Sequence, residues 1–140
     1  MAQKKRVLFL CTRNSCRSQM AEGFLRHMAG DKFEVYSAGV KATQVNLLAI
    51  KVMAEAGVDI SKHRPKSAME FFGQKFDYVV TVCDNAKQTC PAFPGTYEKV
   101  HWDLEDPAEA QGNEEERLAI FRKIRDEIEQ RIKDWVKHPT

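Results

Sequence analysis

Short apolar runs alternate with amphipathic stretches along this 140-residue chain. Residues 7–10 form a run of β-branched, aromatic and aliphatic side chains with polar neighbours on both sides, which is typical of a buried parallel strand. Between residues 17 and 30, apolar side chains recur on one helical face, and Gly30 stands where such a helix would end. The first unit is therefore predicted to be a strand, a short loop and a helix.

The same patterns continue through the middle of the chain. They predict a strand at residues 33–37, followed by a helix that Asn46 caps and Gly57 ends. Two further strands are predicted at residues 78–82 and 99–102.

The last predicted element is a long amphipathic helix that begins at Asn113, with Glu116 in capping-box position. Its buried stripe consists of Leu118, Phe121, Ile124, Ile128, Ile132 and Trp135. Strands that alternate with helices predict an α/β fold with a doubly wound parallel sheet. In such a fold the ligand site lies beyond the carboxyl ends of the strands.

Composition narrows the class of protein. The chain is 43% hydrophobic, which suits one domain over residues 1–140. Its 22 basic and 20 acidic residues nearly balance, so we expect neither nucleic acid nor a membrane as partner. The longest apolar run near the start has five residues, too few for a membrane span or signal peptide, and we expect a cytoplasmic protein. Four cysteines in such a chain are expected to be thiols kept for chemistry.

The segment CTRNSCRS joins the first predicted strand to the first predicted helix. A loop before a helix N-terminus directs several backbone N–H groups inward, and the helix dipole adds positive potential for a tetrahedral oxyanion. The same field stabilises a thiolate, which makes Cys11 a candidate nucleophile at neutral pH. Arg17, six positions later, can clamp the oxyanion through two hydrogen bonds.

Other side chains of this segment are expected to support it. Ser18 can donate a hydrogen bond to the Cys11 sulfur, whereas Thr12, Asn14 and Ser15 can hold the shape of the loop. Cys16 is best interpreted as a packing or loop residue. The competing interpretation is that Cys11 is a buried strand-end thiol and that Arg17 is a solvated residue of the first helical turn.

The motifs CTRNSCRSQMAEG, TVCDNAKQTCP and EDP together resemble the thioredoxin-coupled arsenate reductases, which share the fold of the low-molecular-weight tyrosine phosphatases. The similarity spans nearly the whole chain. It implies a four-stranded parallel sheet flanked by helices on both faces. It also implies a nucleophile at Cys11, an oxyanion binder at Arg17, a redox pair at Cys83 and Cys90, and a general acid at Asp106.

The resemblance further implies that the substrate lies on a loop formed by Thr12, Arg13, Asn14, Ser15, Cys16, Arg17 and Ser18. Relatives often carry glycine where this chain has Arg13. Some relatives bind potassium with residues that match Asn14, Glu22 and Ser37 and a further acidic side chain. That acidic position is Lys66 here, and a lysine ammonium could occupy the place of the cation; a solvated loop lysine is the alternative.

The resemblance implies a relay in which Cys11 attacks arsenate, Cys83 attacks Cys11 as arsenite leaves, and Cys90 then takes over the disulfide. Thioredoxin or another dithiol protein would reduce the product. The relay requires no metal and no organic cofactor, and we expect a monomer. His63 and Gln44 are loop residues that could support the site electrostatically.

Several alternatives remain open at this point. Cys83 could be a small apolar residue at a strand end, Cys90 part of a surface turn, and Asp106 a turn former before Pro107. A low-molecular-weight tyrosine phosphatase needs Cys11, Arg17 and Asp106 but has no use for the thiols of Cys83 and Cys90. Such enzymes usually carry aromatic residues after the Asp-Pro pair, which are missing here. A third interpretation is a non-catalytic protein that binds zinc or arsenite through its cysteines, although the cysteine spacing fits zinc poorly.

A conformational prediction follows from distance. Asp84 is a plausible N-cap, so residues 84–90 are predicted to be partly helical in the reduced protein. Seven helical steps span roughly 10 Å, whereas a disulfide needs Cα atoms within about 7 Å. Oxidation of the Cys83 and Cys90 pair is therefore expected to unwind this segment.

Overall fold

The computed structural model describes residues 4–14, 16–83, 93 and 95–139. In chain order the elements are β1 (Lys5–Cys11), α1 (Arg17–Ala29), β2 (Phe33–Gly39), α2 (Leu47–Glu55), a 3₁₀ helix (Ala68–Phe71), β3 (Tyr78–Thr81), β4 (Glu98–His101), a second 3₁₀ helix (Pro107–Glu109) and α3 (Glu114–Lys137). The strands and α-helices predicted from the sequence are confirmed to within a few residues. The two 3₁₀ helices were not predicted.

The four strands form one parallel sheet in the order β2-β1-β3-β4. At its carboxyl edge Cys11 pairs with Gly39, and Leu10 pairs with Thr81. The Val82 N–H donates to the Leu10 carbonyl at 3.0 Å and extends this register by one residue. Cys83 therefore follows directly after the point where β3 runs alongside the end of β1.

The two faces of the sheet are covered differently. Alternate strand residues such as Val7, Phe9 and Val80 share one core with side chains from α1, α2 and α3. The others, such as Leu8 and Val79, pack against the first 3₁₀ helix and an aromatic cluster: Phe71, Phe76 and Phe93. The predicted stripe of α3 is buried at each of its six positions. Its side chains belong to the same core as those of α1 and α2.

Local signals fix the helix ends. The Asn46 side chain accepts hydrogen bonds from the first N–H groups of α2, and Asn113 forms the predicted capping box with Glu116. Gly57 follows α2 with a φ of +82°, a conformation that glycine adopts readily because it has no Cβ. Within the described residues, no helix combines the length and apolar composition needed to cross a membrane.

Candidate active site

Residues 11–17, the anion loop, lie between the carboxyl end of β1 and the N-terminus of α1, as the sequence predicted. Cys11 is only 2% exposed, and its Sγ lies 2.8 Å from Ser18 Oγ and 3.2 Å from the Asn14 backbone nitrogen. Asn14 Nδ2 donates to the same Ser18 oxygen at 2.8 Å, which leaves the hydroxyl hydrogen for the sulfur. Two hydrogen-bond donors therefore converge on the Cys11 sulfur.

The chain after β2 holds the anion loop from the side. The backbone N–H groups of Val40, Lys41 and Thr43 donate to the carbonyls of Cys11, Thr12 and Arg13, at 2.8 to 3.3 Å. A Cβ on Gly39 would lie 2.7 Å from the Asn14 nitrogen and 2.8 Å from two further backbone atoms of the loop. Only glycine permits this close approach of two backbones.

Arg17 and Asp106 form the front of the anion loop. Arg17 is 3% exposed and Asp106 is 6% exposed, with Nη2 and Oδ2 separated by 3.5 Å. Arg17 Nη1 also donates to the Leu104 carbonyl at 3.0 Å. Asp106 additionally accepts a hydrogen bond from the Ala108 N–H and so caps the second 3₁₀ helix. The turn-forming role of Asp106 and its place beside the candidate site therefore coexist.

The back of the anion loop is centred on Asn14, which is fully buried and has a φ of +54°. Its Nδ2 donates to Ser37 Oγ at 3.0 Å, and its Oδ1 accepts from the Lys66 backbone N–H at 2.8 Å. These bonds hold a left-handed conformation that asparagine tolerates better than most residues. In that conformation the Asn14 N–H points at the Cys11 sulfur.

A buried carboxylate lies further back. Glu22 contacts Arg26 at 2.6 Å and Lys66 Nζ at 3.4 Å, and it accepts a hydrogen bond from the Ser37 hydroxyl. Burial raises the pKa of Glu22, but Lys66, the Ser37 hydroxyl and Arg26 together hold it below the ordinary 4.5. The Lys66 ammonium thus contacts Glu22, one of the residues that match the potassium ligands of some relatives, and it also donates to the Arg64 carbonyl at 3.0 Å. Its side chain is only 11% exposed, so it is no solvated loop lysine.

The cysteines fall into different environments. Cys16 is a buried thiol in the core that α1, α2 and α3 share with the sheet, in agreement with a packing role. Cys83 is fully buried and disulfide-bonded, whereas Cys11 is a free thiol. Cys90 and the predicted helix at residues 84–90 lie outside the described residues. In the described part of the chain, no group of three or more His, Cys, Asp or Glu side chains could hold a metal ion.

The remaining residues that the sequence predicted for the site differ in their burial. Arg13 is exposed on the rim of the loop, Thr12 is half-buried, and Ser15 lies outside the described residues. Gln44 is exposed, whereas His63 is half-buried and contacts the back of the loop through Gln19.

Sequence reasoning missed two residues, Gln19 and Gly39. Gln19 is fully buried and bonded to Asn14, and Gly39 allows the close backbone approach described above. A signal existed for Gln19, because it follows Ser18 in the first helical turn, next to the loop. Its other partners, Arg64 and His63, come from a distant segment and leave no trace in the local sequence.

Comparison with known proteins adds independent information. Residues 6–138 match the family described as low molecular weight phosphotyrosine protein phosphatase. A protein of Halalkalibacterium halodurans named arsenate reductase is 50% identical over 134 residues, which cover 96% of each chain. The crystal structure of arsenate reductase from Archaeoglobus fulgidus superposes with a TM-score of 0.80 at 32% identity, covering 94% of this chain and 99% of that one.

A thioredoxin-dependent arsenate reductase of Corynebacterium glutamicum is also similar in structure. It gives a TM-score of 0.72 at 32% identity, and the match covers 97% of this chain and 62% of that one.

Proposed function

The chain belongs to the low molecular weight phosphotyrosine protein phosphatase family, among members named arsenate reductases, and from that premise we propose that it reduces arsenate to arsenite. We further propose that Cys11, Cys83 and Cys90 act in sequence and that thioredoxin or another dithiol protein returns them to the thiol state. The similarity to a thioredoxin-dependent reductase supports the choice of reductant.

One observation carries the proposal. Cys11 ends β1 as a free thiol with two hydrogen-bond donors, and the neighbouring parallel strand β3 leads directly to Cys83. Cys83 is already disulfide-bonded, which supports redox chemistry over a purely apolar role for this residue. A phosphatase would need the first thiol alone.

The first chemical step joins substrate and protein. The Cys11 thiolate attacks arsenic, an S–As bond forms, and one oxygen leaves as water after protonation. Asp106 is the proposed proton donor, because its carboxyl group lies beside Arg17 at the front of the loop. Arg17 holds the remaining oxygens through its planar guanidinium.

The second step transfers electrons. The Cys83 thiolate attacks the Cys11 sulfur, an S–S bond forms, and the S–As bond breaks with its electron pair on arsenic. Arsenic(V) becomes arsenic(III) while the two sulfurs together lose two electrons. Cys90 then attacks Cys83 and frees the Cys11 thiolate. The disulfide that remains is the substrate of the external dithiol.

Single-turnover stoichiometry tests the proposal. Fully reduced protein, freed of reductant and mixed with arsenate, should release one equivalent of arsenite per chain. Cys83→Ser should release none, because no thiol can displace the arsenic. Cys90→Ser should release one equivalent and stop as a Cys11–Cys83 disulfide, visible by mass spectrometry. Absence of arsenite from the reduced wild type would overturn the proposal.

Cys16→Ser is the matched control, since Cys16 is a buried cysteine of the same loop without a place in the relay. At whatever rate it reacts, this variant should still release one equivalent of arsenite per chain. Normal steady-state turnover of Cys90→Ser with thioredoxin would contradict the three-cysteine order.

The residues at the front of the anion loop are also compatible with a residual phosphatase activity. Cys11, Arg17 and Asp106 would suffice for a small phosphomonoester, and Cys83→Ser should retain that activity. If the wild type cleaves aryl phosphates rapidly and releases no arsenite, the phosphatase alternative is favoured.

A further inference from the structure

Gln19 connects the anion loop to a distant segment of the chain. It is fully buried, and its Nε2 donates to the Asn14 side-chain oxygen at 2.8 Å and to the Asn14 carbonyl at 3.2 Å. The same nitrogen contacts the Arg64 carbonyl at 3.0 Å. Three oxygen acceptors surround this end of the amide, so the nitrogen and not the oxygen must lie there.

The orientation of Gln19 fixes the state of His63. Gln19 Oε1 lies 2.9 Å from His63 Nδ1, which must carry a hydrogen because an amide oxygen only accepts. His63 Nε2 lies 3.4 Å from the Arg26 guanidinium, which only donates, so Nε2 accepts and the ring is neutral.

The charges around the His63 ring agree with this assignment. Burial lowers the pKa of His63 below its ordinary 6.5, and Arg26 and Lys66 act in the same direction. Glu22 and Asp59 oppose them without reversing the shift.

Asn14 connects these contacts to Cys11, the candidate nucleophile. Among the described residues it is the one non-glycine residue with positive φ, and this conformation directs its N–H to the Cys11 sulfur. Gln19 bonds to both oxygens of Asn14 and therefore restrains the backbone as well as the side chain. A loop whose N–H groups must converge on an oxyanion depends on such restraint.

We propose that Gln19 is a positioning residue for the anion loop and that neutral His63 holds its amide in the required orientation. Gln19 touches no reacting atom and acts through Asn14. The inference rests on the proposed function only in that the loop binds a tetrahedral oxyanion. Inorganic phosphate is a suitable probe, because its binding requires no electron transfer.

The first test replaces Gln19 by methionine, which has similar length but no hydrogen-bonding amide. Phosphate affinity, measured by calorimetry on the reduced protein, should fall about tenfold, as expected for the loss of buried hydrogen bonds. Gln130→Met, at an exposed site on α3, is the matched control and should bind as the wild type does. Affinity of Gln19→Met within twofold of wild type would overturn the proposal.

His63 provides a second test that does not depend on the stability of the Gln19 variant. His63→Ala removes the donor to Gln19 and should weaken phosphate binding about threefold. His63→Asn keeps an N–H near the position of Nδ1 and should restore most of this loss. Equal weakening in both variants would contradict the orienting role of His63.

The double variant Gln19→Met/His63→Ala distinguishes a relay from two separate effects. If His63 acts through Gln19, the double variant should bind phosphate no more weakly than Gln19→Met alone. Additive losses would overturn the relay. A wild type that binds no phosphate would instead refute the oxyanion site itself, and with it the proposed function.

Discussion

The front and the back of the anion loop are built on different principles. At the front, Arg17 and Asp106 face each other at 3.5 Å. At the back, Asn14 and Glu22 are surrounded by short hydrogen bonds and ion pairs from α1, β2 and residues 63–66. The front must exchange its partners with a substrate in every cycle, whereas the back must not move. We therefore expect front substitutions to change mainly the rate, and back substitutions to change stability and, where they act through Asn14, the affinity for the oxyanion.

The largest effect should come from Arg17→Lys. An ammonium keeps the charge but cannot form the planar two-point contact, so arsenate reduction should fall roughly 1000-fold. The melting temperature should change little by comparison. Arg122→Lys, in an exposed ion pair with Glu55, is the control and should retain full activity. Near-normal turnover of Arg17→Lys would refute the assignment of the oxyanion binder.

Asp106→Asn should slow arsenate reduction about 100-fold, because an amide cannot protonate the leaving oxygen. Alkylation of Cys11 by iodoacetamide, followed on its peptide by mass spectrometry, should remain largely intact. Asp126→Asn, on the exposed side of α3, serves as control. Equal loss of reduction and alkylation would mean that Asp106 instead holds the loop together.

At the back, Lys66→Met should lower the free energy of unfolding by about 2 kcal/mol, since it leaves the buried Glu22 carboxylate with one cationic partner fewer. Urea denaturation measures this loss. Lys62→Met, at an exposed site in the same loop, should change stability by less than about 0.5 kcal/mol. Equal effects of the two substitutions would show that the Glu22 pair contributes nothing.

A smaller effect is expected from pH. The folded state lowers the pKa of His63 below 6.5, so the unfolded chain binds the proton more readily. The stability that His63 contributes is complete above pH 6.5 and is lost as pH falls through the lower, folded value. Denaturation curves between pH 7.5 and 5 should therefore diverge, with the wild type losing more stability than His63→Asn. Parallel curves would contradict a neutral, half-buried His63 imidazole.

The smallest effect should be that of potassium. If the Lys66 ammonium occupies the place of the cation, potassium chloride should stabilise the protein no more than sodium chloride does. A melting temperature several degrees higher in potassium alone would contradict this hypothesis. Lys66→Met offers the sharper comparison, because removal of the ammonium should make any potassium response larger than in the wild type.

The sequence by itself determined the elements and the motif. Apolar periodicity and caps such as Asn46 and Asn113 are local, so the strands, α-helices and parallel sheet could be predicted from them. Placement of Cys11 and Arg17 between a strand and a helix likewise needs only neighbouring residues. The contact between Ser18 and Cys11 was predictable for the same reason.

Only the tertiary structure decided how the loop is held. The contacts of Gln19 with Arg64 and His63 span 45 and 44 residues, and Gly39 meets the loop only because β1 and β2 pair in parallel. The ion pair between Arg17 and Asp106 likewise joins residues that are 89 positions apart in the sequence. Such contacts depend on which segments the fold brings together, and this depends on packing of the whole core, which no local pattern encodes.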